Sequence, residues 1–146
     1  MRTARRAITA LLAVGWLAWG GLAIAQGDKF TARLAWVPTA GADRVSGKGT
    51  ASATLTARTL AITGSFEGLG GAATVARLHE GIARGARGKA VADLTVTKAA
   101  SGSISGSVTL TQEQVESLKQ GRLYIQLHGD KGLAPDGANL WGWLLR

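Results

Sequence analysis

Apolar and polar positions alternate with a period of two through most of this chain. Phe30, Ala32, Leu34 and Trp36 alternate with Thr31, Arg33 and Ala35, as in a strand with one buried face. Gly49 to Thr56 repeats the pattern with Ala51, Ala53 and Leu55, and the next stripe is Leu60, Ile62, Gly64 and Phe66. Thr74 to His79, Ala90 to Thr97, Ser103 to Leu110, Arg122 to His128 and Asn139 to Leu145 supply further strands. Between them lie glycine clusters such as Gly68-Leu69-Gly70-Gly71, and the turn-rich loops Pro38 to Gly47 and Gly129 to Ala138. About eight short strands predict an all-β domain, an antiparallel Greek-key-like sandwich or barrel.

One segment leaves this rhythm. Thr111 with Gln114 three residues on is a capping-box signature, Val115 and Leu118 then share a helical face, and Gly121 is a stop. The spacing predicts one short helix over 112–120, crossing between strands.

The first 25 residues follow different rules. Arg2, Arg5 and Arg6 precede a run of 19 residues without charge, Ala7 to Ala25, that closes on Ala23-Ile24-Ala25. A charged start, an apolar middle and a small-x-small ending make a secretion signal, cleaved after Ala25. The run approaches the roughly 20 residues that span a bilayer, so an uncleaved anchor is the competing reading. Arg5-Arg6 lacks the continuation that a twin-arginine signal carries. The expected product is a single domain, 26–146, in the periplasm or outside the cell. Trp16 and Trp19 leave with the leader, and so do three arginines, which lowers the formal charge from +8 to +5. With no block of consecutive cations, a nucleic-acid partner is excluded. After cleavage no membrane span is expected. Cysteine is absent, so thiol chemistry is excluded and the fold must hold by packing alone. Mature glycine, 21 less the three in the leader, is about twice the usual share and suits turns, bulges and barrel corners.

The ordered segments resemble the CHRD domain, named from chordin and common in exported bacterial proteins. The resemblance rests on Leu34-Ala-Trp-Val-Pro38, Gly49-Thr-Ala51, Ala76-Arg-Leu-His79-Glu-Gly81 and Leu110-Thr111 leading to Leu118 and Gly121. Leu123-Tyr-Ile-Gln-Leu-His128 and Pro135 to Gly142 complete it. It implies a Greek-key-like β domain outside the cytoplasm, with a binding or matrix-type role and no assigned reaction. The family's His-Ile-His segment is here Arg77-Leu78-His79, the acidic residue before its Val-Pro is Trp36, and its Glu-Ile-Arg-Gly is Asn139-Leu140-Trp141-Gly142. Several charged or ligating positions have thus become apolar or altered.

Three groups of residues are candidates for function. If Leu123, Ile125 and Leu127 face the core, Tyr124, Gln126 and His128 share the opposite face. If Leu140, Gly142 and Leu144 face inward, Trp141 and Trp143 point outward, and pairing of the two strands makes one aromatic-polar surface for a protein or polysaccharide partner. A second layer that buries the tryptophans is the alternative. Arg84, Arg87 and Lys89 in the glycine-rich loop Gly81 to Ala90 are a candidate anion site, set against plain solvated loop charge. His79 and His128, with Glu80, Asp130 or Asp136, are the alternative metal (copper or zinc) ligands of an accessory protein. No G-x-S-x-G elbow and no recognisable carboxylate pair occur, and Glu67, Glu80, Asp93 and Asp136 are scattered. The expectation is therefore a binding or structural module with no cofactor and no catalytic residue.

Overall fold

The fold is taken from a computed structural model of the protein, which describes residues 26–37, 47–131 and 138–146. The leader, most of the Pro38 to Gly47 loop, and Pro135 with Asp136 lie outside the described residues. Eight antiparallel strands form a closed barrel: β1 (Asp28–Trp36), β2 (Lys48–Thr56), β3 (Thr59–Glu67), β4 (Ala73–Gly81), β5 (Gly88–Val96), β6 (Gly102–Thr109), β7 (Leu123–Gly129) and β8 (Ala138–Trp143). Around the wall the order is β1-β2-β3-β6-β5-β4-β7-β8, and β8 returns to β1.

The alternation seen in the sequence sorts inside from outside. Phe30, Ala32, Leu34, Ala53, Ile62, Leu78, Ile104, Leu123, Ile125, Leu127 and Leu140 fill the barrel. Two seams are short. β5 meets β6 through Thr95↔Ser105 and Val96↔Ile104, and β1 meets β8 through Ala35↔Trp141 and Trp36↔Leu140. The barrel therefore divides into two four-stranded walls, β1-β2-β3-β6 and β5-β4-β7-β8, and has the character of a sandwich closed at both sides. Trp36 departs from the predicted stripe. It ends β1 at the rim, where the barrel gives it no opposing layer, and stays 46% exposed.

The helix α1 (Gln112–Lys119) stoppers one end, with Val115 and Leu118 buried in the barrel core. Both halves of the capping box form: Gln114 N–H donates to Thr111 Oγ1 at 3.2 Å, and Thr111 N–H donates to Gln114 Oε1 at 2.9 Å. Glu113's own backbone N–H, and then the Thr111 hydroxyl, hold its carboxyl below the ordinary carboxylate range. Its contribution is present above the unfolded pKa and is lost as pH falls through the lowered one. Gly121 follows the C-cap at φ +70, a conformation that suits glycine. Ser117 Oγ donates to Glu80 Oε1 at 2.6 Å and accepts from Arg122 Nη2 at 2.7 Å, which lashes the helix to the end of β4.

Two stability changes of opposite sign are expected. Leu118→Ala empties the stopper and costs about 2–5 kcal/mol in urea unfolding. Ala57, in the β2–β3 turn, is the only described non-glycine residue at positive φ (54°). Ala57→Gly relieves that strain and stabilises by about 1 kcal/mol, seen as a raised Tm.

Candidate functional site

The outer surface of β4, β7 and β8 carries the chemistry. Register places side chains there in rows about 4.8 Å apart from strand to strand. One row runs Asp93, Arg77, Gln126, Trp141, Ala35, and the next runs His79, Tyr124, Trp143. The predicted pairing of the last two strands and their shared face are both present.

The rings of the second row pack in sequence. His79 stacks on Tyr124 with centroids 5.0 Å apart at 24°, and Tyr124 meets Trp143 at 4.4 Å. Trp141 makes edge contacts with Trp143 at 5.7 Å and with Tyr124 at 5.9 Å. Such tilted and edge-on contacts are the favoured geometries for aromatic pairs. The Arg87 guanidinium lies 6.0 Å above the Trp141 ring, at the outer limit of cation–π range. Val37 packs against Trp141 from the β1 side.

This packing corrects the expectation of one accessible surface. Tyr124 and Gln126 are each 1% exposed, and His128 is buried. The reason is their column. β7 lies between two strands with tall outer side chains, Arg77 and His79 on one flank and Trp141 and Trp143 on the other. The β4–β5 hairpin then leans onto the same face. Gly88 N–H donates to the Tyr124 hydroxyl oxygen at 3.2 Å, and a Cβ on Gly81 would sit 2.8 Å from Trp143 Cη2. Every residue of β7 is therefore buried, on both faces of the wall. Trp141 and Trp143 are half-buried, so the indoles are the part of the predicted surface that reaches solvent.

The two histidines share this face but do not meet. His79 is opposite Tyr124 and His128 is opposite Val75 in the β4–β7 register. Four residues of strand separate these positions, about 13 Å. One ion cannot be held by both imidazoles here. The proposed oxygen ligands do not join them. Glu80 is engaged by Ser117 and by Lys89 Nζ at 3.5 Å, Asp130 is exposed beyond β7, and Asp136 lies outside the described residues. Among the described residues no three His, Cys, Asp or Glu side chains group as a metal site.

The candidate anion site also divides. Lys89 turns to Glu80, Arg87 lies over Trp141, and Arg84 faces the helix end beside Lys119 and Arg146. The hairpin spreads these three cations over different neighbours instead of converging them on one ligand. Sequence reasoning noted Arg77 only as standing in the family's first histidine position and did not foresee that its Nε donates to Asp93 Oδ1 at 2.7 Å beside the buried column. It also passed over Val37, the cover on Trp141. A cross-strand pair of opposite charges was visible only once register was known.

With this geometry in place, the comparison with known families is decisive for the fold's lineage. Residues 30–137 match the CHRD domain family. The chain belongs to that family. The CHRD match begins in β1 and stops just before β8, so Trp141 and Trp143 lie beyond the matched stretch. No curated protein and no solved structure matches the chain.

The hairpin's contact with the indoles yields an optical test. In a Trp36→Phe background of residues 26–146, only Trp141 and Trp143 emit. Gly81→Ala drives a methyl into the Ala86 carbonyl oxygen across the hairpin, and into the Ala83 carbonyl oxygen and Trp143, each 2.8 Å away. Red-shifted emission and at least doubled acrylamide quenching are expected. Unchanged emission in a folded variant would show that the hairpin does not shield the pair.

Proposed function

We propose that this CHRD protein is exported by residues 1–25 and works outside the cytoplasm as a non-enzymatic binding module. Its contact face is the half-buried Trp141–Trp143 pair, and its partner is a saccharide, with acidic sugars favoured by Arg87. The observation that carries this reading is the pair itself. Two indoles stand side by side on the outside of a barrel, stiffened from beneath by Tyr124 and roofed at one edge by a guanidinium. Burying indoles on an outer wall leaves apolar surface that a sugar's C–H face can cover, while the ring N–H remains a donor. A standard protein interface takes about 800 Å² from each partner, far more than two partly covered rings present.

The family supports a small extracellular-type β domain with a binding role, and the leader supports export. Among the described residues no helix is long and apolar enough to cross a membrane. Catalysis has no place in this reading: the sequence holds two histidines, which register separates, and no nucleophile elbow.

Two measurements test it. N-terminal sequencing of the periplasmic protein should begin at Gln26, and intact precursor confined to the cytosol overturns export. On a panel of immobilised neutral and uronic-acid polysaccharides, the mature chain should be retained, and Trp141→Ala/Trp143→Ala should weaken retention at least tenfold. Equal retention by the folded double variant overturns the contact face. Capture of a protein that the same variant still binds overturns the saccharide.

A further inference from the structure

The barrel has two unlike ends. Both chain termini of the described domain, the β2–β3 turn, the helix and the β4–β5 hairpin gather at one of them. Gln26 to Asp28 lie beside Ala57, Val115 and Lys119, and Leu144 to Arg146 lie beside Arg84 and Lys119. Arg146 Nη2 is 2.7 Å from Asp28 Oδ2, so the termini meet across the helix.

Charge is concentrated at this end. The segments 26–29, 56–59, 80–89, 112–122 and 144–146 hold eight cationic side chains against four carboxylates. At the opposite rim the described segments 47–48, 67–71, 98–102 and 129–131 hold three cations and two carboxylates. The helix end therefore carries an excess of four positive charges, nearly all of the mature chain's +5. The hairpin that projects there also bears Ile82, 81% exposed and the most exposed large apolar side chain among the described residues. Arg84 follows two residues later, exposed beside the end of the helix.

We infer that this helix-stoppered end docks on the surface of an anionic bilayer, with Ile82 entering the headgroup boundary and the surrounding cations facing lipid phosphates. Three independent features agree on the occupant. A net positive rim is attracted to anionic headgroups, about additively in the number of cations near the surface. A single projecting aliphatic residue at the centre of such a rim matches the shallow apolar zone of an interface. And the chain enters the domain at this same end, directly after the apolar run Ala7 to Ala25. The membrane that the leader engages would thus lie against the basic end from the moment the barrel closes, whether or not the leader is later removed. In this orientation Trp141 lies on the flank of the wall and Trp143 at its helix-side margin, and Arg87 is the one cation the two readings share, so the inference rests on residues other than the indoles.

The test uses the chain from Gln26 to Arg146, which holds every strand and the whole barrel core, in co-sedimentation with vesicles. Vesicles of phosphatidylcholine with about a third phosphatidylglycerol should bind it at low salt, and pure phosphatidylcholine should not. Ile82→Ser, on a side chain 81% exposed, should lower the partition coefficient about fivefold or more with an unchanged circular dichroism spectrum. Arg84→Gln/Lys119→Gln should lower it about tenfold, while Lys98→Gln/Lys131→Gln at the other rim should leave it within twofold. Trp141→Ala/Trp143→Ala should bind vesicles like the unaltered chain, which separates failure of this inference from failure of the saccharide face. Equal binding to neutral vesicles, equal effects of the two charge pairs, or no binding to anionic vesicles overturns the inference. So does binding that Ile82→Ser leaves intact and a soluble polyanion abolishes, which would assign the end to a charged polymer.

Discussion

Burial of β7 on both faces is the constraint on which the rest of this structure depends. Its Leu123, Ile125 and Leu127 face the barrel interior, and its Tyr124, Gln126 and His128 lie beneath an outer cover. A single closed barrel ordinarily presents its outer positions to water. Here two flanking strands and a hairpin add a partial second layer, and a chain without disulfides gains packing where it has no cross-link. That layer contains polar groups, so it holds only because they find partners, as the Tyr124 hydroxyl does with the Gly88 amide.

The outer layer also fixes what the surface can offer. Tyr124 supports the indoles from below and from the centre of the sheet, so Trp141 and Trp143 cannot sink into the wall or swing freely. A contact face built this way is preorganised, with few rotamers left to order on binding. The charges follow a second logic. Pairs such as Arg77–Asp93 and Lys48–Glu67 run across neighbouring strands on the wall. The unbalanced cations collect around the helix, where strand ends and turns leave room for long side chains. One molecule therefore shows an aromatic flank and a basic end, recognisable by different chemistries.

Much of this was legible in the sequence because strict alternation survives closure. Phe30, Ala32 and Leu34, or Leu123, Ile125 and Leu127, need only the period of two to be placed inside. Thr111, Gln114 and Gly121 mark the helix by local chemistry and are found where they were expected. The shared face of Tyr124, Gln126, His128, Trp141 and Trp143 followed from the same period. Their depth did not. Burial of Tyr124 depends on Arg77 and His79 arriving from β4, a strand more than forty residues earlier, and on a hairpin that lies flat because Gly81 and Gly88 lack side chains. The distance between His79 and His128 is likewise a matter of register, which residue types alone leave open. Trp36 shows the limit of periodicity itself: a stripe continues in the sequence after the barrel that it would face has ended.

The ion pair between Arg146 and Asp28 has a topological consequence. Since the first and last strands are neighbours and their outer ends touch, the polypeptide is nearly a ring already. A few residues of linker would join 146 to 26 without displacing any strand, and the exposed tip near Gly85 could serve as the new opening. Such a circular permutant would keep every hydrogen-bonded neighbour around the wall while altering only the order in which they are synthesised. The architecture is indifferent to where its chain starts.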